Sequence, residues 1–263
     1  MEKLLDRDLI PYYNQDISAK SSAFLLYSII KNNPKNSVVQ DLIITSNILK
    51  EKEPNNIVLK NTLDFFLTNL HPTDIEKIAK EKYEKILTHL EFSKNEITKN
   101  LHKKIKNNST IFIHSINNLV YDSILSISKE KKLNINLLSS KPFGELAAEK
   151  FRSQGIKVNL FNDLEIKEAI KNIDLSLFGS EGIIKNKSLT KKGSEAIAHY
   201  INKNRIPLYV ITHSLKYTDK EHKIINYEII EPENITAYIC EYGILKPEHL
   251  EKEIKFHNSK LFH

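Results

Sequence analysis

The chain has 263 residues, enough for two domains and a sizeable core, and its 39 basic against 33 acidic side chains leave a net charge of +6. That balance permits nucleic-acid or small-anion binding without requiring either, because the densest basic clusters, Lys103-Lys104-Ile105-Lys106 and Lys129 to Lys132, fit solvated helix ends as well as an RNA patch. A single cysteine, Cys240, excludes an internal disulfide framework and a multi-cysteine zinc site, and no apolar run approaches the roughly 20 residues of a membrane span.

In chain order, the start Met1-Glu2-Lys3-Leu4-Leu5-Asp6-Arg7-Asp8 is too charged for a secretory signal, so a cytosolic protein is expected. From Ser18 to about Lys106 the pattern is helical, with Phe24, Leu25, Ser28 and Ile29, and later Leu63, Phe66, Leu67 and Leu70, recurring at helical spacing. Pro34, Pro54 and Pro72 separate the segments. Thr73-Asp74-Ile75-Glu76 reads as a capping box, after which Ile75, Ile78, Ile86 and Leu90 line one helix face. After Asn107-Asn108-Ser109 the period changes. Thr110 to His114 reads as a buried strand followed by a helix through Ser128; Leu133 to Leu138, Lys157 to Phe161, Ile173 to Phe178, Pro207 to Thr212 and Thr236 to Glu241 read as further strands. Helices are expected between them at Glu145 to Gln154, Asp163 to Lys171 and Glu195 to Asn204. The alternation predicts an N-terminal helical domain, residues 1–108, followed by a Rossmann-like α/β domain with a mainly parallel sheet, residues 109–263.

All six glycines stand at position 144 or later, so the backbone turns that let a ligand approach belong to the second domain. The most informative is Gly179-Ser180-Glu181-Gly182-Ile183, which ends the apolar run Ile173 to Phe178 and aims an acid outward between two glycines. Beyond it, Lys185 to Lys187 read as a short polar link, and Thr190-Lys191-Lys192-Gly193-Ser194 as a helix opening that favours an anion; Gly193 as a plain loop glycine is the other reading. In a parallel sheet the strand ends would gather His114-Ser115, Ser139-Ser140-Lys141, Asn162-Asp163, Ser180-Glu181 and Thr212-His213-Ser214 along one edge, a pocket for a polar, anionic small molecule. His114 and Ser115 are adjacent and so cannot form a triad pair. The ten histidines lack metal-ligand spacing, and no P-loop or dinucleotide fingerprint occurs, so no metal and no cofactor is expected.

Several segments in order carry a family likeness: Ile111-Phe112-Ile113-His114-Ser115, Ser139-Ser140-Lys141-Pro142, Gly155-Ile156-Lys157-Val158, Gly179-Ser180-Glu181-Gly182-Ile183, Lys191-Lys192-Gly193-Ser194, Ser214-Leu215-Lys216-Tyr217 and Glu241-Tyr242-Gly243-Ile244-Leu245. On these the chain resembles the translation initiation factor 2B alpha/beta/delta family, which also contains methylthioribose-1-phosphate and ribose-1,5-bisphosphate isomerases. The isomerases have a cysteine after the first-motif histidine and an aspartate between the glycines. Here those catalytic positions hold Ser115 and Glu181. A thiol with a pKa of about 8.5 is a far better proton donor at neutral pH than a hydroxyl. The resemblance therefore implies a regulatory, alpha-subunit-like protein that binds a sugar phosphate or nucleotide through His114, Lys141, Ser180, Thr190, Lys191 and Lys216, with sugar-phosphate isomerisation as the alternative. It also implies a homodimer formed through the C-terminal domain and a translation-factor partner. RNA binding stays open.

Overall fold

The computed structural model describes residues 15–32, 38–70, 74–219 and 227–261. They form two compact units that part at Ser93 and Lys94. In the first unit, helices α1 (Gln15–Asn32), α2 (Val38–Lys52) and α3 (Ile57–Leu67) precede α4 (Ile75–Lys104). The stripe of α1 that is buried is Ala19, Ala23, Leu26 and Ile30; α1 packs on α3, which buries Val58, Leu59, Leu63 and Phe66. Phe24 and Leu25 are exposed, which corrects the helical phase read from the sequence: the small residues Ala19, Ser22 and Ala23 face inward and let the helices approach. Pro54 lies between α2 and α3 as expected, and Asn56 caps α3 by accepting from the Leu59 N–H at 2.9 Å. Thr73, Pro34 and Pro72 lie outside the described residues, but α4 begins at Ile75, where the capping-box reading put it.

The second unit is an α/β layer structure. Strands β1 (Ser109–His114), β2 (Leu133–Leu138), β3 (Lys157–Phe161), β4 (Leu175–Gly179), β7 (Leu208–Ile211), β10 (Ala237–Cys240) and β11 (Gly243–Leu245) form one sheet in the order β11-β10-β7-β4-β1-β2-β3. Every pairing is parallel except β10 with β11. Both faces are covered, as a parallel sheet requires. Ile111, Ile113, Leu177, Ile211 and Ile239 point to a core completed by α5 (Asn118–Ser128), α6 (Phe143–Ser153) and the end of α4. Phe112, Phe178, Val210, Tyr238 and Cys240, one residue out of phase, point to the other core, under α7 (Ile166–Ala169), α8 (Ser194–Lys203) and α9 (Pro247–Leu261). This is the α/β class with an N-terminal helical region that the periodicity predicted.

A second sheet was not foreseen. β5 (Gly182–Ile184) and β6 (Lys187–Lys191) form a hairpin, flanked by β8 (Tyr217–Thr218) and β9 (Tyr227–Ile230) in the order β8-β5-β6-β9. Lys185 to Lys187 is thus the turn and start of a hairpin rather than a link to a helix; Lys185 takes a left-handed φ of 59° there. Thr190 and Lys191 end β6, and α8 starts only after Gly193, whose φ of 89° makes the corner. The helix expected at Asp163 to Lys171 shrinks to the single turn of α7.

The strand order fixes where a crevice must lie. From β1 the chain builds outward through β2 and β3, then returns to β4 on the other flank of β1 and continues through β7 and β10. The reversal falls between β1 and β4, and in open α/β sheets the crevice opens outside the carboxyl ends of the strands at such a point.

Candidate functional site

The two strands at the reversal end in His114-Ser115 and Gly179-Ser180-Glu181. They meet closely: a Cβ on Gly179 would stand 2.4 Å from the Ser115 carbonyl oxygen and 2.8 Å from Asn117 Nδ2. Only glycine lets β4 end against this loop. Ser115 itself has a φ of 51°, a strained value for a serine at a strand end.

The turn that carries Glu181 is held from every side. The Ser180 N–H donates to the Ile211 carbonyl at 3.0 Å, and the Glu181 N–H to Leu189 at 2.8 Å. Ser180 Oγ donates to the Gly182 carbonyl at 2.7 Å. The Ser180 carbonyl accepts from Lys216 Nζ at 2.6 Å and from Asn117 Nδ2 at 3.1 Å. Lys216 is positioned in turn by the 3-10 turn Ser214–Lys216, whose first N–H donates to the buried Glu241 carboxylate at 2.9 Å. A buried cation and a buried carboxylate therefore hold the loops at the ends of β4 and β7 in one geometry.

Electrostatics places the next groups. The Lys191 ammonium lies 5.3 Å from the centre of the Phe143 ring, and burial pushes its pKa down to about 8, partly opposed by the negative charge of Glu181. Burial, helped by Lys191 and opposed by Asp163, pushes His114 down to about 4, so its imidazole is neutral at pH 7. The ring lies 5.1 Å from Phe178 and stacks at 6.4 Å on Phe112. Asp163 Oδ1 accepts from the Ser140 N–H at 2.7 Å and from Ser139 Oγ at 3.2 Å, tying the end of β2 to the end of β3. Burial and Glu181 together raise the Tyr227 phenol to about 12.

Three of the buried polar atoms without partners lie at the same edge. Among the described residues, Ser115 Oγ, His114 Nε2 and Thr212 Oγ1 are out of reach of solvent and make no hydrogen bond. Such atoms are costly unless something fills them, and they sit at the ends of β1 and β7.

Of the residues singled out from the sequence, His114, Ser115, Ser180, Glu181 and Lys191 are brought together at the reversal. Lys216 is buried beneath the Glu181 turn and holds it. Thr190 is fully buried on the α8 side of β6, its hydroxyl 3.5 Å from the Glu228 carbonyl. Lys141 is exposed, 3.5 Å from Glu145. The anion expected at the start of α8 is supplied by the protein: Glu228 Oε1 accepts the Glu195 N–H at 2.6 Å. Sequence reading missed Asn117, Phe143 and Tyr227. Asn117 carries a signal in hindsight, since it caps α5 through the Val120 N–H; Tyr227 carries none, because only the unforeseen β9 brings it here. No group of histidine, cysteine and carboxylate side chains among the described residues is arranged to hold a metal ion.

Comparison with known proteins agrees with this architecture. The model of the initiation factor 2 subunit family matches residues 15–226. The chain is 25% identical over 206 residues to the ribose 1,5-bisphosphate isomerase of Methanocaldococcus jannaschii, covering 76% of this chain and 67% of that protein. It is 24% identical over 174 residues to the alpha subunit of translation initiation factor eIF2B from Caenorhabditis elegans, covering 55% of this chain and 56% of that one. The fold superposes on a chain of the tetrameric eIF2B-beta2-delta2 complex from C. thermophilum with a TM-score of 0.78 at 14% identity, covering 93% and 90% of the two chains.

Proposed function

The chain belongs to the initiation factor 2 subunit family, and on that premise we propose that it is a non-catalytic, regulatory member that binds a phosphorylated sugar or nucleotide at the carboxyl ends of β1 and β4. The family includes both translation-factor subunits and a ribose 1,5-bisphosphate isomerase. The observation that carries the choice is Ser115. Its hydroxyl is buried and has no hydrogen-bond partner among the described residues. A serine becomes a useful nucleophile or proton donor only beside a base that takes its proton. The neighbouring histidine does not engage it: His114 Nε2 likewise has no hydrogen-bond partner among the described residues. What remains is a hydroxyl that a small shift of the strained Ser115 turn would bring to a ligand oxygen, an ammonium at Lys191 for the phosphate, and a carboxylate at Glu181 for sugar hydroxyls. A homodimer through the C-terminal domain, a translation-factor partner and a cytosolic location belong to the same reading, supported by the family to which the chain belongs.

A second reading has its own support. Lys191, with a pKa near 8, and the Glu181 carboxylate form an acid and base pair suited to moving protons at neutral pH. The match to an isomerase favours this aldose-ketose alternative. Incubation with ribose-1,5-bisphosphate and methylthioribose-1-phosphate, followed by NMR, separates the two. Binding by calorimetry without conversion is expected; conversion that disappears in Glu181→Gln would replace the regulatory reading with the isomerase.

A further inference from the structure

The two faces of the small sheet are unlike. Ser188, Thr190 and Ile230 are buried on the face toward α8. The other face carries Leu189, Lys191, Tyr227 and Ile229, because Lys191 pairs directly with Tyr227 and Leu189 with Ile229 in the antiparallel register of β6 and β9. Side chains directly opposite in such a pair leave the same face with Cβ atoms about 5 Å apart. Tyr227 therefore leaves the sheet beside Lys191, and Glu181 is near enough for its charge to act on both.

The chemistry of these three groups is complementary. Lys191 offers charge with little directional preference, so by itself it would hold any phosphate. Glu181 only accepts hydrogen bonds when ionised. Tyr227, with its ionisation pushed up to about 12, stays a neutral hydroxyl and can donate throughout the physiological range. An acceptor-only carboxylate next to a neutral donor matches neighbouring hydroxyls of a polyol, each of which both gives and receives one hydrogen bond.

We propose that Tyr227 is the selectivity residue of this site, donating its phenolic O–H to a sugar oxygen beside Glu181 and so distinguishing a phosphorylated polyol from a simple anion. The proposal rests on the sugar-phosphate reading of the pocket. Tyr227 lies one position beyond the residues matched by the family model.

The test is calorimetric titration of ribose-1,5-bisphosphate and of inorganic phosphate into the wild type and Tyr227→Phe, each checked by a thermal melt. The variant keeps the ring and removes one oxygen. Sugar-phosphate affinity is expected to fall about five- to tenfold, the size of one neutral hydrogen bond, while phosphate affinity stays unchanged. Tyr227→Leu, which also removes the ring, is expected to lose at least as much discrimination and serves if the first variant melts early. Unchanged sugar-phosphate binding in Tyr227→Phe, or equal losses for both ligands, overturns the proposal while leaving the pocket intact. A wild type that binds the two no differently overturns the sugar-phosphate reading itself, and this proposal with it.

Discussion

Replacing Gly179 with alanine puts the β1–β4 crossing to a direct test. The added Cβ would lie 2.4 Å from the Ser115 carbonyl oxygen and 2.8 Å from Asn117 Nδ2. The first gap is about 1 Å short of an ordinary van der Waals separation, and its far side is backbone, which cannot rotate away. Overpacking of this kind costs roughly 1–3 kcal/mol. At about 2–4 °C per kcal/mol for a unit of this size, a cost of about 2 kcal/mol lowers the melting temperature by roughly 4–8 °C. The shift also moves Ser115 against Glu181, and a misplacement of about 1 Å in a site can cost on the order of 100-fold in function. Gly155→Ala is the control. Its φ of 77° makes it strained, but nothing lies within 4 Å of the new methyl, so it should lose about 1 kcal/mol and leave ligand affinity alone. A Gly179→Ala protein that melts with the wild type and binds ribose-1,5-bisphosphate equally well would refute the close crossing and the site drawn from it.

Ser115→Ala removes a buried, unpartnered hydroxyl and should raise stability in urea by about 1 kcal/mol while weakening sugar-phosphate binding, a pairing that a purely structural serine would not show. Lys191 gives a pH signature. Its folded pKa near 8 lies below the ordinary value of 10.5, so the native state gives up its proton first; stability should therefore rise from about pH 8 towards 10.5, and phosphate affinity should fall over the same range, both effects vanishing in Lys191→Met. Lys216→Met leaves the Ser180 carbonyl with Asn117 alone and should cost about 1–3 kcal/mol, measured by chemical denaturation, together with much of the ligand affinity. Glu228→Gln should weaken the start of α8 by about 0.3–1 kcal/mol in the same assay, an effect that shrinks in high salt.

The six parallel strands of the large sheet were legible because apolar residues recur in them between polar turns; its short antiparallel edge strand, Gly243–Leu245, half-buried and three residues long, was not. Leu133–Leu138 and Lys157–Phe161 fall at the residues read from the pattern. The small sheet was hidden for the opposite reason. Gly182–Ile184 is three residues long, and Lys187–Lys191 alternates lysine, serine, leucine and threonine, a pattern that also suits a polar loop leading into a helix. Its pairing partners at 217–218 and 227–230 are distant in sequence, so no local window contains the ladder. The phase of α1 failed on side-chain size: Phe24 and Leu25 were weighted by hydrophobicity, whereas the packed face uses alanines. The same logic divides the site. Residues at the ends of the long strands, His114, Ser115 and Glu181, could be named in advance, while Tyr227 depends on β9 and could not.

The second sheet also makes one lip of the crevice rigid. Glu181 sits where β4 gives way to β5, so its turn belongs to both sheets at once: the Ser180 N–H pairs with β7 and the Glu181 N–H with β6. Neither sheet can shift without breaking a ladder, and Lys216 and Asn117 lock the carbonyl between them. The opposing lip is different. Ser115 and Ser140 both hold positive φ, 51° and 32°, values that cost a serine free energy of order 1–3 kcal/mol apiece. Asp163 clamps Ser140 through its N–H, whereas the Ser115 hydroxyl has no such partner among the described residues. Of the two strained strand ends, one is clamped from within by Asp163, and the other is the one the proposed ligand would meet. At one fixed ligand concentration, sugar phosphate should accordingly raise the melting temperature of the wild type more than that of Ser115→Ala.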